Sequence, residues 1–282
     1  MMQLALNHLS FRYSRRKPPV LHDVNAVFEQ GGVCGLLGPN GAGKSTLLYL
    51  MSGLLMPTSG NVTFDGTSTA RRKPQILASI YLVPEEPSLP RMSLDQFIRL
   101  YAGFYPDFSM EIMKDALKEF EMPEVNRLDA LSMGQRKKVI LSFALACRTP
   151  VLLMDEPTNG LDIPGKAAFR RLIARYATDD RLILISTHQV RDLDRILDHI
   201  IIMNYNQFVI NASVADIQRA LHFSYGLREL PEDAIASIPS LYGFDTISPA
   251  KDDMDETEIN LEVLFDAALK HPEVINNLIS RH

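Results

Sequence analysis

The chain is short of cysteine, of excess positive charge and of long apolar runs. There are two cysteines in 282 residues. Cys34 and Cys147 both stand in apolar segments, so they read as reduced core residues, which fits a cytoplasmic setting. Lys and Arg number 29 against 34 Asp and Glu, a formal net charge of −5. That balance argues against a generic nucleic-acid binder, and no nucleic acid is expected as a partner. No uninterrupted apolar run approaches the roughly twenty residues of a membrane-spanning helix. Residues 1–10 have neither a charged start nor a long apolar stretch, so no secretory leader is expected. Any membrane role must therefore come through a partner. Internal repeats, heptad arrays and low-complexity tracts are missing too. What is present is the composition of a globular protein, 46% hydrophobic and 22% charged. The length suggests one large domain with an appendage.

One stretch organises the rest: Gly38-Pro39-Asn40-Gly41-Ala42-Gly43-Lys44-Ser45-Thr46. It matches the phosphate-binding loop G-x-x-x-x-G-K-[ST] without a gap. The preceding Val33–Leu37 reads as a buried strand, and the following Ser45–Met51 as the first turns of a helix. Gly41 and Gly43 lack Cβ atoms, so the backbone can bend closely around a phosphate. Loop N–H groups and the helix N-terminus then face the anion. Lys44 reaches the β- and γ-phosphates of a nucleotide, and the Ser45 hydroxyl is a ligand for Mg²⁺.

Around this loop the pattern is α/β. Gln3–Tyr13 and Val27–Glu29 read as strands, with Tyr13 either stacking on adenine or serving as an ordinary strand aromatic. Asn61–Phe64 and Ile80–Val83 are further strands. The second ends at Pro84-Glu85-Glu86-Pro87, whose carboxylates belong to a solvated turn or reach into the phosphate site. From Met92 the period becomes helical: Ser93 caps Leu94–Phe104, and Met110–Glu121 is amphipathic. Ser132 can cap the helix that follows Leu131. Its basic start, Arg136-Lys137-Lys138, is then simply solvated, or else Ser132 and the Gly134 N–H form an anion site. Val151–Met154 is an apolar strand ending in Asp155-Glu156. An acid there, in a chain with a phosphate loop, is the expected Mg²⁺ partner, and Glu156 is a candidate general base for water. Leu182–Ile185 delivers Ser186-Thr187-His188, where the histidine could hold a γ-phosphate oxygen. Ile196–Met203 and Phe208–Ile210 close the sheet. Beyond it, Ser213 caps a short helix, the acidic Lys251–Glu256 reads as a solvated loop, and Asn260 caps a last helix with Leu264, Phe265 and Ala268.

In order, these pieces resemble the ATP-binding subunit of ABC transporters over roughly residues 1–210. Gly38–Thr46 is similar to Walker A, Leu131-Ser132-Met133-Gly134-Gln135 to the LSGGQ signature, and Val151–Glu156 to Walker B with its glutamate. Asn159-Gly160-Leu161-Asp162 is similar to the D-loop, and His188 to the switch histidine. The resemblance implies a P-loop NTPase core with a mainly parallel sheet, an N-terminal antiparallel β part, a helical insertion and a small C-terminal α/β appendage. It divides the chain into an ATPase domain over 1–212, with the insertion at about 88–140, and an accessory region over 213–282. It implies ATP and Mg²⁺ as cofactors, with Tyr13, the loop residues Gly38 to Thr46, Ser132, Gly134 and Gln135 on the nucleotide. Ser45, Asp155 and Glu85 are then on the metal, and Glu156, His188 and Glu85 in catalysis. Two copies pair head to tail when ATP is bound, each ATP lying between Walker A of one and the signature of the other. The motor drives a separate transmembrane permease, which receives the helical insertion and the loop at Glu85. The protein sits on the cytoplasmic face of the membrane through that partner. An exporter is the leading expectation; a soluble iron–sulfur assembly ATPase and a non-hydrolysing regulator are the alternatives. Two positions depart from the family pattern. Met133 replaces a glycine, and Glu85 stands where glutamine is usual, which keeps an oxygen, loses a donor and adds negative charge near phosphate.

Overall fold

In the computed structural model, which describes residues 3–124, 126–193, 196–251 and 255–280, β1 (Gln3–Phe11) pairs antiparallel with β2 (Leu21–Glu29). β2 is longer than its apolar end, Val27–Glu29, suggests. Its buried residues Leu21, Val24 and Phe28 break strict alternation because the register slips between Leu6, Leu9 and Phe11 of β1, as extra residues in one strand make it do. β3 (Gly32–Leu37) leads through the glycine loop to α1 (Lys44–Met51). β4 (Ser59–Phe64) pairs with β1, and β5 (Thr67–Ser68) with β4. α2 (Pro74–Ser79) has little periodicity to announce it, but its first residue is proline, whose fixed φ suits a helix start.

After β6 (Ile80–Val83) come three helices. α3 (Leu94–Tyr101) opens on a reciprocal Ser93–Gln96 capping box, α4 (Met110–Glu119) on Ser109, and α5 (Met133–Ala146) on a second box between Ser132 and Gln135. β7 (Val151–Asp155), α6 (Ile163–Tyr176), β8 (Leu182–Thr187), β9 (His199–Asn204) and β10 (Gln207–Ser213) complete the central sheet and its cover. α7 (Val214–Ala220), capped by Ser213, leads to β11 (Leu221–Leu227), β12 (Ala236–Ser240) and β13 (Gly243–Pro249). α8 (Leu261–Lys270) is capped by Asn260 as expected, yet it is not the last helix. α9 (Pro272–Ile279) follows, again with proline at its start. Residues 252–254 of the acidic stretch lie outside the described residues.

The central sheet runs β10-β9-β3-β8-β7-β6, parallel except for β10. The inner strands β7 and β8 are buried along their whole length because both faces are covered, and alternate residues serve opposite layers. In β7, Val151 and Leu153 join Leu4, Leu36, Leu47 and Leu48 under the antiparallel sheet β2-β1-β4-β5. Leu152 and Met154 join Phe97, Phe143 and Phe169 on the other side. Ile247, Leu264 and Ala267 of the C-terminal segment belong to this second layer together with Ile200 and Ile202 of β9, so the appended sheet β11-β13-β12 and its helices share the main core. Register then decides the site. Leu37 lies opposite Thr187, Asp155 opposite Ser186, and Val83 opposite Met154. Four loops therefore leave the sheet side by side at the C-terminal ends of parallel strands, where α/β sheets bind ligands.

Candidate nucleotide site

The chain leaves β3 and turns through Gly41 (φ +83°) and Gly43 (φ +103°), both in the left-handed region. At Gly41 a Cβ would meet nothing, so backbone conformation alone selects glycine; at Gly43 it would also press on Val20 at 3.1 Å. No side chain caps the start of α1, so its N–H groups face the cradle that the loop forms. Lys44 is buried and bends back over the loop. Its Nζ donates to Gly38 O at 2.8 Å and Pro39 O at 3.3 Å, and lies 3.8 Å from Glu156 Oε1. Burial pushes its pKa down; Glu156, Asp155 and Glu85 oppose that. Tyr13 is 60% exposed, packs edge-on against Phe11 and shares a 3.0 Å hydrogen bond between its hydroxyl and Thr46 Oγ1. Its ring thus stands at the rim of the loop.

The acids follow from β7. Asp155 is buried and accepts a 2.6 Å hydrogen bond from Ser186 Oγ. Glu156 takes up φ +46° and is also buried. Its carboxylate accepts from Thr187 Oγ1 at 3.1 Å and from His188 N at 3.1 Å, and meets His188 Nδ1 at 2.8 Å. An ionised carboxylate there requires the proton on Nδ1. His188 and Glu156, read from sequence as two separate functions, are therefore one hydrogen-bonded pair.

Glu85 is brought into the same place by the end of β6. Its Oε1 accepts from Asn159 Nδ2 at 3.0 Å, and Asn159 Oδ1 accepts from Gln189 Nε2 at 2.9 Å. Gln189 Oε1 in turn accepts from Lys166, which pairs with Asp192 at 2.7 Å. Glu85, the turn after β7 and the segment after His188 are thereby joined.

Ser132, Gly134 and Gln135 are not joined to them. Ser132 Oγ and Gln135 cap one another at the start of α5, and a Cβ on Gly134 would come within 2.9 Å of Gly160 O. Among the described residues, no hydrogen bond links these three to Lys44, Ser45, Asp155, Glu156 or Glu85. The solvated reading of the basic run beside them fails. Arg136 donates to Leu131 O and Asp129 O, Lys138 pairs with Asp162, and Lys137 is 1% exposed with Nζ on Glu156 O at 2.8 Å. Sequence reasoning missed Lys137, although it falls in step with buried Leu141 and Ala144 along α5.

The family model for ABC transporters matches residues 21–159. An ABC transporter ATP-binding protein of Methanothermobacter marburgensis is 34% identical over 199 residues, covering 67% of this chain and 72% of that protein. The chain belongs to the ABC transporter ATP-binding family. YtrB of Bacillus subtilis, an ABC transporter ATP-binding protein, is 31% identical over 64% of this chain, and the chain spans 62% of the length of YtrB. A solved ATP-binding subunit of an ABC transporter superposes with a TM-score of 0.68 at 28% identity, over 77% of this chain and 92% of that one. Like the rest of the ABC family, the protein has the P-loop NTPase fold and is an ATP-binding ATPase.

Proposed function

We propose that this ATPase is the motor subunit of an ABC exporter, coupling ATP-driven pairing and hydrolysis to transport by a separate transmembrane permease. Among the described residues, no helix is long and apolar enough to cross a membrane. The observation that carries the reading is the convergence of Lys44, Asp155, Glu156, His188 and Glu85 on adjoining strand ends beside an open glycine cradle. The ATP phosphates lie in the cradle from Gly38 to Thr46, with Lys44 turned from Gly38 O toward them. Tyr13 stacks on adenine. Glu156 polarises the attacking water, and His188, held by Glu156, faces the γ-phosphate. Ser132, Gly134 and Gln135, unlinked to their own chain's loop, serve the nucleotide of a second copy. The assay is phosphate release by the chain, followed by identification of what co-purifies from membranes. A polytopic membrane protein supports the motor role; soluble scaffold proteins alone would favour an assembly ATPase.

The donors at the metal position are Ser45, Asp155 and Glu85, all oxygen. Among the described residues, no cluster of three or more His, Cys, Asp or Glu side chains could hold a metal alone. That set fits Mg²⁺, which takes one or two carboxylates and leaves its other positions to phosphate and water. Bound there, Mg²⁺ neutralises phosphate charge. Replacing Glu85 with glutamine keeps an oxygen for Asn159 Nδ2 but weakens a metal ligand. The ATPase rate at saturating Mg²⁺ is expected to stay within about threefold of wild type or rise, with half-saturation moved to higher Mg²⁺. Superimposable Mg²⁺ titrations would put Glu85 out of reach of the metal.

Tyr13→Ala is expected to weaken ATP by about 1–2 kcal/mol, the scale of aromatic–base stacking. Tyr13→Phe keeps the ring and loses only the part-buried hydroxyl contact with Thr46, so its affinity stays near wild type. Fluorescent-nucleotide titration separates the three proteins. Equal affinities for Tyr13→Ala and wild type would transfer the stacking role to another residue.

A further inference from the structure

Three carboxylates, Glu85, Asp155 and Glu156, gather at the ends of the neighbouring strands β6 and β7. Two buried lysines, Lys44 and Lys137, face them. Nucleotide binding turns Lys44 toward phosphate. Lys137 is then the buried cation that stays with the acids.

Its placement is specific. Lys137 Nζ donates to Glu156 O at 2.8 Å, and the same oxygen accepts from Asn159 N at 3.2 Å. The Asn159 side chain holds Glu85 at 3.0 Å. Lys137 and Glu85 therefore act on one turn, Glu156–Asn159, through one carbonyl oxygen and one asparagine. The turn begins with Glu156 at φ +46°, a conformation that a non-glycine residue keeps only where its surroundings over-determine it. A fully buried ammonium is costly unless carboxylates stand close by. Burial does push the Lys137 pKa down, and among the charges opposing it Glu85 has the largest effect, ahead of Glu156 and Asp155. The acid thus helps the fold tolerate the buried ammonium.

We propose that Lys137 is a positioning residue for ATP hydrolysis, its buried ammonium fixing the Glu156–Asn159 turn and offsetting the charge that Glu85 adds beside the phosphates. The role rests on the phosphate-site reading given above. Lys137→Met preserves the apolar stem while removing charge and donors. It leaves Glu156 O satisfied by Asn159 N, so no orphaned carbonyl confuses the result.

The experiment compares the full chain as wild type, Lys137→Met, Glu85→Gln and the double variant. The readouts are kcat, KM, fluorescent-ATP affinity and melting temperature. Lys137→Met is expected to lower kcat about tenfold with ATP affinity within about threefold, because turn geometry and charge are needed at the reaction rather than for binding. The double variant is expected to recover to within about threefold of Glu85→Gln alone, since neutralising the acid removes the need for the cation. A mere strut between α5 and the turn would show no such recovery. Lys137→Met with wild-type kcat overturns the proposal, as does a loss that Glu85→Gln leaves unrelieved. Should Lys137→Met fail to fold, the melting curve of the double variant takes the place of kcat: a folded double variant supports the couple, and one that is also unfolded refutes it. A wild-type chain that binds no ATP sinks the phosphate-site reading and this role together. A wild-type chain that hydrolyses ATP, beside an unaffected Lys137→Met, sinks this role alone.

Discussion

Lys44→Ala loses tight ATP binding, by at least about a hundredfold, because a charge-assisted contact to phosphate is worth about 1.5–3 kcal/mol and Lys44 offers more than one. The ammonium is already at the loop, on Gly38 O and Pro39 O, and needs only to exchange carbonyl oxygens for phosphate oxygens. Loop amides and the uncapped start of α1 remain in the variant, but they carry partial charge. They would also face Asp155, Glu156 and Glu85 with Lys44 gone, so a tetra-anionic ligand meets more repulsion as well as less attraction. The native lysine is buried near those acids, and its ammonium is held by loop carbonyls and a carboxylate rather than by the apolar core. The variant should therefore fold, and a melting curve checks that before a fluorescent-ATP titration is read. An affinity within threefold of wild type would remove the phosphate-loop assignment from this stretch.

Much of the site was legible because its chemistry is local in sequence. The glycine loop, the acids after an apolar strand and the Ser132 cap each lie within a few consecutive residues, and the parallel register then places the first two on either side of β8. What escaped was decided by tertiary packing. Arg136-Lys137-Lys138 is three cations at a helix start, a pattern that normally faces water. Only the burial of α5 against α4 and β6 turns Lys137 inward, and its spacing to Leu141 and Ala144 was the available sign. The Glu156–His188 pair joins residues 32 apart and needs β7 beside β8 before it can form. In the C-terminal segment, β12 has no buried residue to mark a face, whereas β11 does alternate, with Leu221 and Phe223 buried. Proline at the first position of α2 and α9 was the better signal, since proline at N1 marks a start without any periodicity.

Glu156→Gln binds ATP, hydrolyses it at least about a hundredfold more slowly, and accumulates as a pair. The rate loss follows from the chemistry, since an amide cannot take the proton of the attacking water as a carboxylate can. Structure is conserved, because glutamine still offers an oxygen to His188 N and Nδ1–H, and the Thr187 hydroxyl can rotate to accept from the amide. Lys44 loses a carboxylate at 3.8 Å, which frees it for phosphate and favours binding. Pairing follows from the separation of half-sites. In the proposed shared site, one ATP lies between Lys44 of one copy and Ser132 and Gly134 of the other and ties the two together. An ATP that is not consumed acts as a ligand of the pair, and mass action drives association. Equal use of both half-sites makes the pair a closed two-fold dimer. Without a permease to hold the copies close, association needs high protein concentration. Size-exclusion chromatography with light scattering, with and without Mg-ATP, reads the outcome beside a phosphate-release assay. Wild-type hydrolysis by the variant would remove Glu156 as the base. A variant that binds ATP and stays monomeric at high concentration would instead count against the shared site.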